Sequence, residues 1–304
     1  MSGINTNRTN ITLPAEISAE ILQKTQEQSA IMQLARQIKL PGSGVTIPVI
    51  ASDPEANWVA ETGIKPTSNP GLSQKNMTPY KLAVIVPFSD EFRRDLPALY
   101  DALVQRLPGA LGKKFDATVF NGTAPGSGFD VLSGCTAQTI SGVGHSFYGA
   151  LVASDVAISA EGYDVNGYAF SPQGRGEMLA AVDGDDRPLF INSVADGAAQ
   201  RLLGHPVSYS RGLYGAGNAA SGTSGQSGYV AAKDDTLGFA GDWTQALYGT
   251  VEGVKISISD QATLTIGTEA VNLWERNMFA VRAEIEVGFV AVTSAFNKIT
   301  RTHA

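Results

Sequence analysis

The residues that most often carry chemistry are sparse in this 304-residue sequence, and they form no recognised catalytic or metal-binding pattern. None of the three histidines, His145, His205 and His303, stands at a metal-ligand spacing to another histidine or to Cys135. Cys135 is the single cysteine, so the chain forms no internal disulfide, and we expect its small side chain to be buried rather than reactive. These observations predict neither a metal site nor a cofactor.

The motifs that bind nucleotides or activate a serine nucleophile are also missing. Five Gly-x-Gly pairs lack the third glycine of the dinucleotide fingerprint; they begin at Gly42, Gly126, Gly142, Gly174 and Gly215. Gly109 to Lys113 is too short for a phosphate-binding loop, and no Gly-x-Ser-x-Gly elbow occurs. Asp183, Asp185 and Asp186 lack the spacing of an EF-hand, which favours an acidic turn. An enzyme built on dispersed carboxylates is still an alternative.

The composition describes a globular chain with an acidic surface. Hydrophobic residues make up 43% and charged residues 17% of the sequence, and the net charge is −7. An acidic chain argues against a surface that coats nucleic acid, because phosphate binding needs clustered Lys and Arg. No run of 18 apolar residues and no basic-then-apolar start occurs, so we expect no membrane partner and no export by these routes.

The longest stretch with a helical period runs from Ser89 to Gly122. Its apolar residues recur every three or four positions; they are Phe92, Leu96, Leu99, Leu103, Leu107, Leu111, Phe115 and Val119. Pro97 and Pro108 interrupt this pattern, which predicts a helical turn at 89–95 and a helix from Pro97 to about Phe120, kinked near Pro108. Such a helix, about 36 Å long, suits a strut, although an ordinary core helix is the alternative.

Two segments precede this helix. Residues 1–44 form a polar arm and an amphipathic helix that begins at 12–14 and ends at 40–42. Residues 45–88 read as a long hairpin with strands VTIPVI, NWVAE and YKLAVIVPF and a loose polar tip. A two-stranded ribbon is marginal in water unless another surface covers it. We therefore expect an arm that lies across a neighbouring subunit; folding back on its own core is the alternative, and it leaves Trp58 and 84–86 needing cover.

The region after the helix reads as a compact α/β lobe. A Gly/Pro-rich connector at 121–134 leads to helices at 145–160 and 172–182. Short strands are predicted at three places: 167–171, 189–192 and 204–209. Residues 212–228 are almost wholly Gly, Ser, Ala and Asn, which predicts a mobile surface loop unless neighbours order it.

The final third is mostly strand. Residues 279–287 alternate, with an apolar face that we expect to pack on the long helix. The opposite face carries Arg282, Glu284 and Glu286. Such a row is usually solvated, and a ladder of salt bridges between subunits is the sharper hypothesis.

The order of these parts resembles the tailed-phage major capsid proteins of the Hong Kong 97-type fold. Each motif is weak alone, but their order along nearly the whole chain is fairly specific. They are Trp58-Val59-Ala60-Glu61, the stretch Leu82 to Ser89 entering the long helix, Asn121-Gly122, Leu202 to Val207, Gly241-Asp242-Trp243, and a strand with Val281-Arg282-Ala283-Glu284 that ends near Ala295-Phe296.

The resemblance implies an α+β fold with four parts. These are an N-terminal arm and helix at 1–44, an extended β-hairpin loop at 45–88, a peripheral domain with the spine helix at 89–134 and 251–304, and an axial α/β domain at 135–250. It also implies a structural, non-enzymatic protein that assembles through pentamers and hexamers into an icosahedral head. The head encloses double-stranded DNA without sequence-specific binding.

The partners that the resemblance implies are copies of the chain itself, a scaffolding protein, a portal and decoration proteins. Because the sequence enters its arm at once, we expect a separate scaffolding protein. The protein is then a virion component assembled in the host cytoplasm. An encapsulin-type compartment shell, which shares the fold but encloses enzymes, is the nearest alternative, and a soluble enzyme is a more distant one.

The candidate intersubunit contacts are Trp58, Glu61 and Lys65 in the hairpin and Arg282, Glu284 and Glu286 in the late strand. Some family members form Lys–Asn crosslinks, but no crosslinking motif is assignable here. Lys65, Lys75, Lys81 and Asn297 are therefore interpreted as ordinary polar residues. The loop 212–228 is predicted to sit on the axial lobe and to meet symmetry mates or a decoration protein, so that deleting 215–226 disturbs assembly more than folding.

Overall fold

The computed structural model describes residues 22–26, 28–50, 56–59, 61–65, 67, 71–91, 96–140, 146–183, 185, 187–190, 201–221, 230–266 and 269–303. Four α-helices are bounded within these residues: α1 Ala30–Leu34, α2 Leu96–Asn121, α3 Ser146–Ala160 and α4 Pro172–Ala180. None of the described helices is both long enough and apolar enough to cross a membrane.

Fifteen strands lie in the described residues. They are β1 Arg36–Lys39, β2 Val45–Ile50, β3 Leu72–Met77, β4 Tyr80–Ser89, β5 Thr136–Ile140, β6 Gly167–Phe170, β7 Arg201–Leu202, β8 His205–Tyr209, β9 Asp235–Gly241, β10 Ala246–Thr250, β11 Lys255–Ser259, β12 Thr263–Ile266, β13 Glu269–Asn272, β14 Met278–Ala291 and β15 Phe296–Arg301.

Two larger sheets organise the chain. In the first, β14 pairs antiparallel with β4, β10 and β11, and β1 adds to β10 in parallel. The second has six strands in the order β5-β15-β9-β6-β8-β7. Two separate ribbons, β2–β3 and β12–β13, complete the described strands. Mixed strand directions and interleaved helices make this an α+β structure.

The predicted long helix is confirmed as α2, which begins at Leu96, one residue before the expected start, and contains Pro108 within a continuous span. The buried side chains Leu107, Leu111, Phe115 and Val119 belong to the main hydrophobic core. The same core contains the apolar face of β14, as the alternation predicts, and Phe115 meets Phe289 edge-on at 6.4 Å. Phe92 and the side chains of 96, 99 and 103 lie outside the described residues.

The N-terminal helix ends earlier than predicted, and its expected start at 12–14 lies outside the described residues. Helical residues end at Leu34, and 36–39 instead form β1, which extends the first sheet beside β10. Pairing with β10 satisfies the backbone of 36–39, so tertiary context overrides the helical period there. The helix itself packs on α2 of its own chain, where a Cβ built on Gly112 would lie 3.4 Å from the carbonyl oxygen of Thr25.

The predicted hairpin pairing at 45–88 is wrong in its partners. β2 pairs with β3, the polar LSQKNM segment that the sequence analysis assigns to the loose tip, whereas 56–59 is not a strand. β4 instead pairs along its whole length with β14. Val84 and Val86 therefore pack against the main core of their own chain. A polar, non-alternating sequence carries no strand signal, so the β3 assignment could not be predicted.

The second sheet confirms most of the predicted lobe, including α3, α4, β6 and β8. Residues 189–190 are not a strand: within 181–190 only an isolated bridge joins Val182 to Pro188, and 191–192 and His145 lie outside the described residues. The strands β5, β7 and β15 were not predicted; β15 lies between β5 and β9, although it follows the strand predicted to be last. Its sequence, FNKITR, is too short to show a period.

The glycine-rich segment 212–228 is ordered over its described first part. Leu213 is fully buried, and its carbonyl oxygen accepts a hydrogen bond from the Asn121 amide of α2. Isolated bridges join Gly215 to Thr236 and Asn218 to Lys233. Residues 215–221 therefore pair antiparallel with 230–236, which lead into β9. Contacts within the chain order this part of the segment, which is the exception that the prediction of a mobile loop allowed; 222–229 lie outside the described residues.

Candidate assembly surfaces

The described tip between β2 and β3 presents large apolar side chains to solvent. Trp58 is 106% exposed and Ile64 is 96% exposed. Glu61 and Lys65 are exposed beside them. Two such apolar side chains on one tip resemble the anchors of protein interfaces more than an ordinary solvated turn.

The foot of this ribbon is fastened to the main body. The Lys75 ammonium lies 2.8 Å from Asp130 and donates to the carbonyl oxygen of Ala291 at 2.6 Å, and the same carboxylate accepts from Ala291 N–H. Gly249 and Gly288 face each other across β10 and β14, and the absence of side chains there leaves room for Met77, which is fully buried. The ribbon therefore has an anchored foot and an exposed tip.

The connector after α2 supports the same foot. Thr78 N–H donates to the carbonyl oxygen of Gly128 at 2.8 Å, and Tyr80 donates its hydroxyl to Ser127 at 2.7 Å. Gly128 has φ +75°, and a Cβ there would lie 2.5 Å from Thr78 Oγ1. Glycine is required at this turn because both the backbone conformation and the close approach exclude a side chain.

The charged face of β14 is paired within the chain. Arg282 lies 3.1 Å from Glu284 and also donates to Ser257 of β11. Glu286 lies 3.3 Å from Lys81 of β4. The side chains of Arg282 and Lys81 are 48% and 69% exposed, so these ion pairs contribute little to the stability of the subunit.

A buried carboxylate joins three segments at α2. Asp116 accepts from the Ser29 hydroxyl at 2.6 Å and from Ala30 N–H at 2.9 Å, and it also bonds Ser210. It thereby caps the first turn of α1, whose donors have no partner inside the helix. Burial raises the pKa of Asp116 to about 6, against the lowering effect of these hydrogen bonds.

A second buried carboxylate holds the end of β15 and the residues that follow it to β9. Asp235 lies 3.2 Å from Arg301 and 2.8 Å from Nδ1 of His303, and it accepts from Gly217 N–H. Arg301 also pairs with Glu177 of α4. Desolvation alone would raise the pKa of Asp235, but the bonds from Gly217, His303 and Arg301 lower it to about 2.

The remaining reactive residue types are dispersed. Cys135 is buried, as predicted, and burial raises the pKa of its thiol to about 12. Asp183 accepts from the backbone of Asp185 and Arg187, which makes the expected acidic turn. Across the described ranges, no three His, Cys, Asp or Glu side chains are grouped so that they could hold a metal ion.

The structure brings together only part of the predicted contact set. Trp58, Glu61 and Lys65 share the ribbon tip, and Arg282, Glu284 and Glu286 share one strand. Asp116 and Asp235 were not predicted from the sequence. A charged residue beside the buried Phe115 was the one available signal for Asp116, whereas nothing in the sequence pairs Asp235 with residues 66 and 68 positions away.

A family model described as the phage capsid family matches residues 9–300. The probable major capsid protein of Mycobacterium phage D29 is 28% identical over 293 residues, covering 91% of this chain and 86% of that protein. The corresponding protein of Mycobacterium phage L5 is 29% identical over 309 residues, covering 96% and 90%.

Solved structures from phages also share this fold. A solved structure from Gordonia phage Cozz superposes with a TM-score of 0.69 at 22% identity, covering 91% of this chain and 88% of that one. This likeness concerns the fold alone, and it agrees with the mixed α+β architecture described above. The match of the family model to all but a few terminal residues, together with these relatives, places the chain in the phage capsid family, whose members are structural proteins rather than enzymes.

Proposed function

We propose that this chain is the major capsid protein of a tailed phage, the subunit whose copies build the head. The observation that carries the proposal is the family match over residues 9–300, with relatives of the same name that align over most of their length. An exposed apolar tip on an anchored ribbon fits a subunit that is completed by its neighbours.

The parts of the fold take the roles that the resemblance suggests. Residues 1–44 serve as the N-terminal arm and helix, and 45–88 as the extended loop. α2 is the spine helix of a peripheral domain at 89–134 and 251–304, and 135–250 form the axial domain. The pairing of β15 with β5 and β9 attaches 296–301 to the axial sheet, so the two domains share the end of the peripheral segment.

The tip is the first intersubunit contact. Trp58, with Glu61 and Lys65 beside it, lies against a neighbouring copy and loses its exposure on assembly. The charged residues of β14 already have partners in their own chain or lie half-buried; they are Arg282, Glu284 and Glu286. They therefore contribute to a contact with a neighbouring copy through the atoms of these ion pairs that remain exposed. Many modest contacts of this kind add through multivalency.

Copies assemble through pentamers and hexamers into an icosahedral shell around double-stranded DNA. The net charge of −7 suits a shell that encloses DNA without binding it tightly. A separate scaffolding protein, a portal and decoration proteins are the proposed partners. The location is the virion, with assembly in the host cytoplasm.

Electron microscopy of the expressed full chain tests this function. Closed, regular particles of one size are expected when the neighbouring genes, including the one for the proposed scaffolding protein, are co-expressed. Particles from an infection should release nuclease-protected double-stranded DNA. A monomer that never forms curved multimers contradicts the proposal, and particles that hold enzymes instead of DNA favour the encapsulin-type alternative.

A further inference from the structure

The outer face of α3 carries an apolar stripe that no described residue covers. Tyr148, Val152 and Val156 are 47%, 39% and 63% exposed. Their spacing of four residues places them in one row along the helix. Gly149 lies on the same face, three residues before Val152, and a Cβ built on it meets no atom within 4 Å. The face is therefore an apolar ridge with a gap near its first turn.

The turn between β7 and β8 is a protrusion rather than a gap. Leu203 and Gly204 connect the two strands with φ +49° and φ +86°. Leucine is disfavoured in the left-handed region, where Asn or Gly is usual in such a turn. Leu203 is also 48% exposed. A strained backbone that holds an apolar side chain out in water points to a contact that the isolated chain does not make.

These two features lie at opposite ends of the second sheet. α3 packs over β5, β15 and β9, whereas β7 is the outermost strand on the other side. Five strand spacings separate β5 from β7, which is about 24 Å. One molecule cannot bring its own turn to its own α3 face, but a second copy can supply it.

The charges beside the two features are complementary. Asp155 is exposed on α3 between Val152 and Val156, and Arg201 is exposed two residues before Leu203. Neither side chain forms an ion pair with another described residue. The attraction between Asp155 beside the stripe of one copy and Arg201 beside the turn of another favours one relative orientation of the two copies.

From these observations we propose that copies of this chain join head to tail through the axial lobe, with Leu203 of one copy seated at Gly149 and Val152 on α3 of the next. The inference rests on the proposed shell function and names one of its interfaces. Because the two patches differ, the contact is heterologous, and repetition of it generates a ring when the rotation between copies closes, as the proposed pentamers and hexamers require. Arg201 then faces Asp155 of the neighbouring copy.

Disulfide crosslinking of the full chain tests the contact directly. The double variant Leu203→Cys with Val152→Cys should form a ladder of covalent multimers under mild oxidation, because a disulfide requires Cα atoms within about 7 Å. Each single variant is the control and should stay monomeric on a denaturing gel. Buried Cys135 is the one native thiol and stays out of the reaction.

Two further variants separate docking from folding. Leu203→Asn suits the turn better than leucine, so the subunit should melt at the same or a higher temperature while the yield of rings and shells falls about tenfold. Arg201→Asp and Asp155→Arg should each lower assembly about two- to fivefold at low salt, and their combination should restore it.

The outcomes are distinct from those that test the shell function. A ladder in the double variant alone, with rescue by the charge exchange, supports the contact. Crosslinking by Leu203→Cys alone, wild-type assembly of Leu203→Asn, or particles that form without any ladder overturns it, and the last result assigns the α3 face to another occupant. If the wild-type chain forms no particles at all, the shell function fails, and the ladder still reports on the contact.

Discussion

The pKa values of two buried carboxylates are shifted in opposite directions in this subunit. Asp116 sits in an environment where desolvation outweighs its hydrogen bonds, so burial favours its protonated form. Asp235 is surrounded by donors, two of which are cationic or can become so, and its charged form is favoured. The two residues therefore predict different responses of the subunit to acid.

Asp116 predicts stability that is lost as the pH rises. Its folded pKa of about 6 lies above the ordinary value of 3.8, so its contribution is fully present below pH 3.8 and disappears as the pH passes about 6. The change amounts to about 3 kcal/mol if the whole shift is expressed. Urea denaturation of the wild type and of Asp116→Asn from about pH 4 to about pH 7.5 measures it. The stability difference, wild type minus variant, should shrink across this range, and a constant difference contradicts the assignment.

Asp235 predicts the reverse dependence. Its folded pKa of about 2 lies below 3.8, so its contribution is present above pH 3.8 and is lost as the pH falls towards 2. Asp235→Asn should lower the free energy of unfolding by about 2–3 kcal/mol at neutral pH. Asp234→Asn, which changes a more exposed neighbour, is the control and should cost about 0.5 kcal/mol or less. Equal losses in the two variants would refute the role of the Arg301 and His303 contacts.

Exposure and burial of single residues were partly predictable from the sequence. The pattern of α2 identified Leu107, Leu111, Phe115 and Val119 as core, and the lone cysteine was expected inside. Asp116 and Asp235 were not predictable, because each acquires its meaning from a partner far along the chain: Ser29 is 87 positions from Asp116. A periodic pattern reports local geometry and carries no information about such pairs.

Strand partners were harder to predict than strands. β4 and β14 were both identified from their apolar alternation, but their mutual pairing was not, because sequence adjacency favoured a hairpin within 45–88. The polar β3 was missed because three consecutive residues, Gln74, Lys75 and Asn76, are polar: Gln74 and Asn76 are exposed, and Lys75 anchors the foot. A strand whose side chains are mostly polar has no hydrophobic signature.

The anchored foot predicts where the ribbon would loosen first. Lys75→Ala removes the contacts to Asp130 and to the Ala291 carbonyl, and leaves a half-buried carboxylate without its cation. Hydrogen–deuterium exchange at 45–50 and 72–77 should accelerate at least about tenfold, with a global cost of about 1 kcal/mol. Lys81→Ala breaks a more exposed ion pair and is the matched control. Equal exchange in both variants would show that Lys75 does not hold the ribbon.

The hairpin at 215–221 changes the expectation for deletions in the glycine-rich segment. Removing 215–226 eliminates the bridges to Thr236 and Lys233 and the bond from Gly217 to Asp235. The subunit should then lose stability as well as assembly, contrary to the expectation drawn from the sequence. The physical reason is that glycine permits close approach, as at Gly212 against the backbone of α2, as readily as it permits disorder.

For the whole molecule, the exposed tip predicts a separation of folding from assembly. The Trp58 side chain is fully exposed, so Trp58→Ala should change the free energy of unfolding of the isolated subunit by about 0.5 kcal/mol or less. The yield of closed particles should fall several-fold, because aromatic anchors dominate interface energies. Light scattering and electron microscopy measure the yield, and Trp58→Phe, which keeps an apolar ring, should retain most of it. Full assembly of the alanine variant would remove Trp58 from the interface.

The fold class and the family resemblance were available from the order of motifs, whereas the way the two sheets join was not. β14 belongs to the first sheet and β15, five residues later, to the middle of the second. A single 3₁₀ turn at Thr293–Ala295 makes this crossing. Short connections of this kind carry few residues on which a prediction could rest.

The position of β15 decides when, during synthesis of the chain, the second sheet can be completed. Thr139 on β5 is hydrogen-bonded to Thr300 on β15, 161 residues later. β9 pairs with the other edge of β15. A ribosome must pass residue 301 before the lobe can close, so a nascent or truncated subunit carries two open sheet edges and an unfinished core. We therefore expect a chain that ends before residue 296 to lack a complete second sheet, because this sheet depends on one six-residue strand.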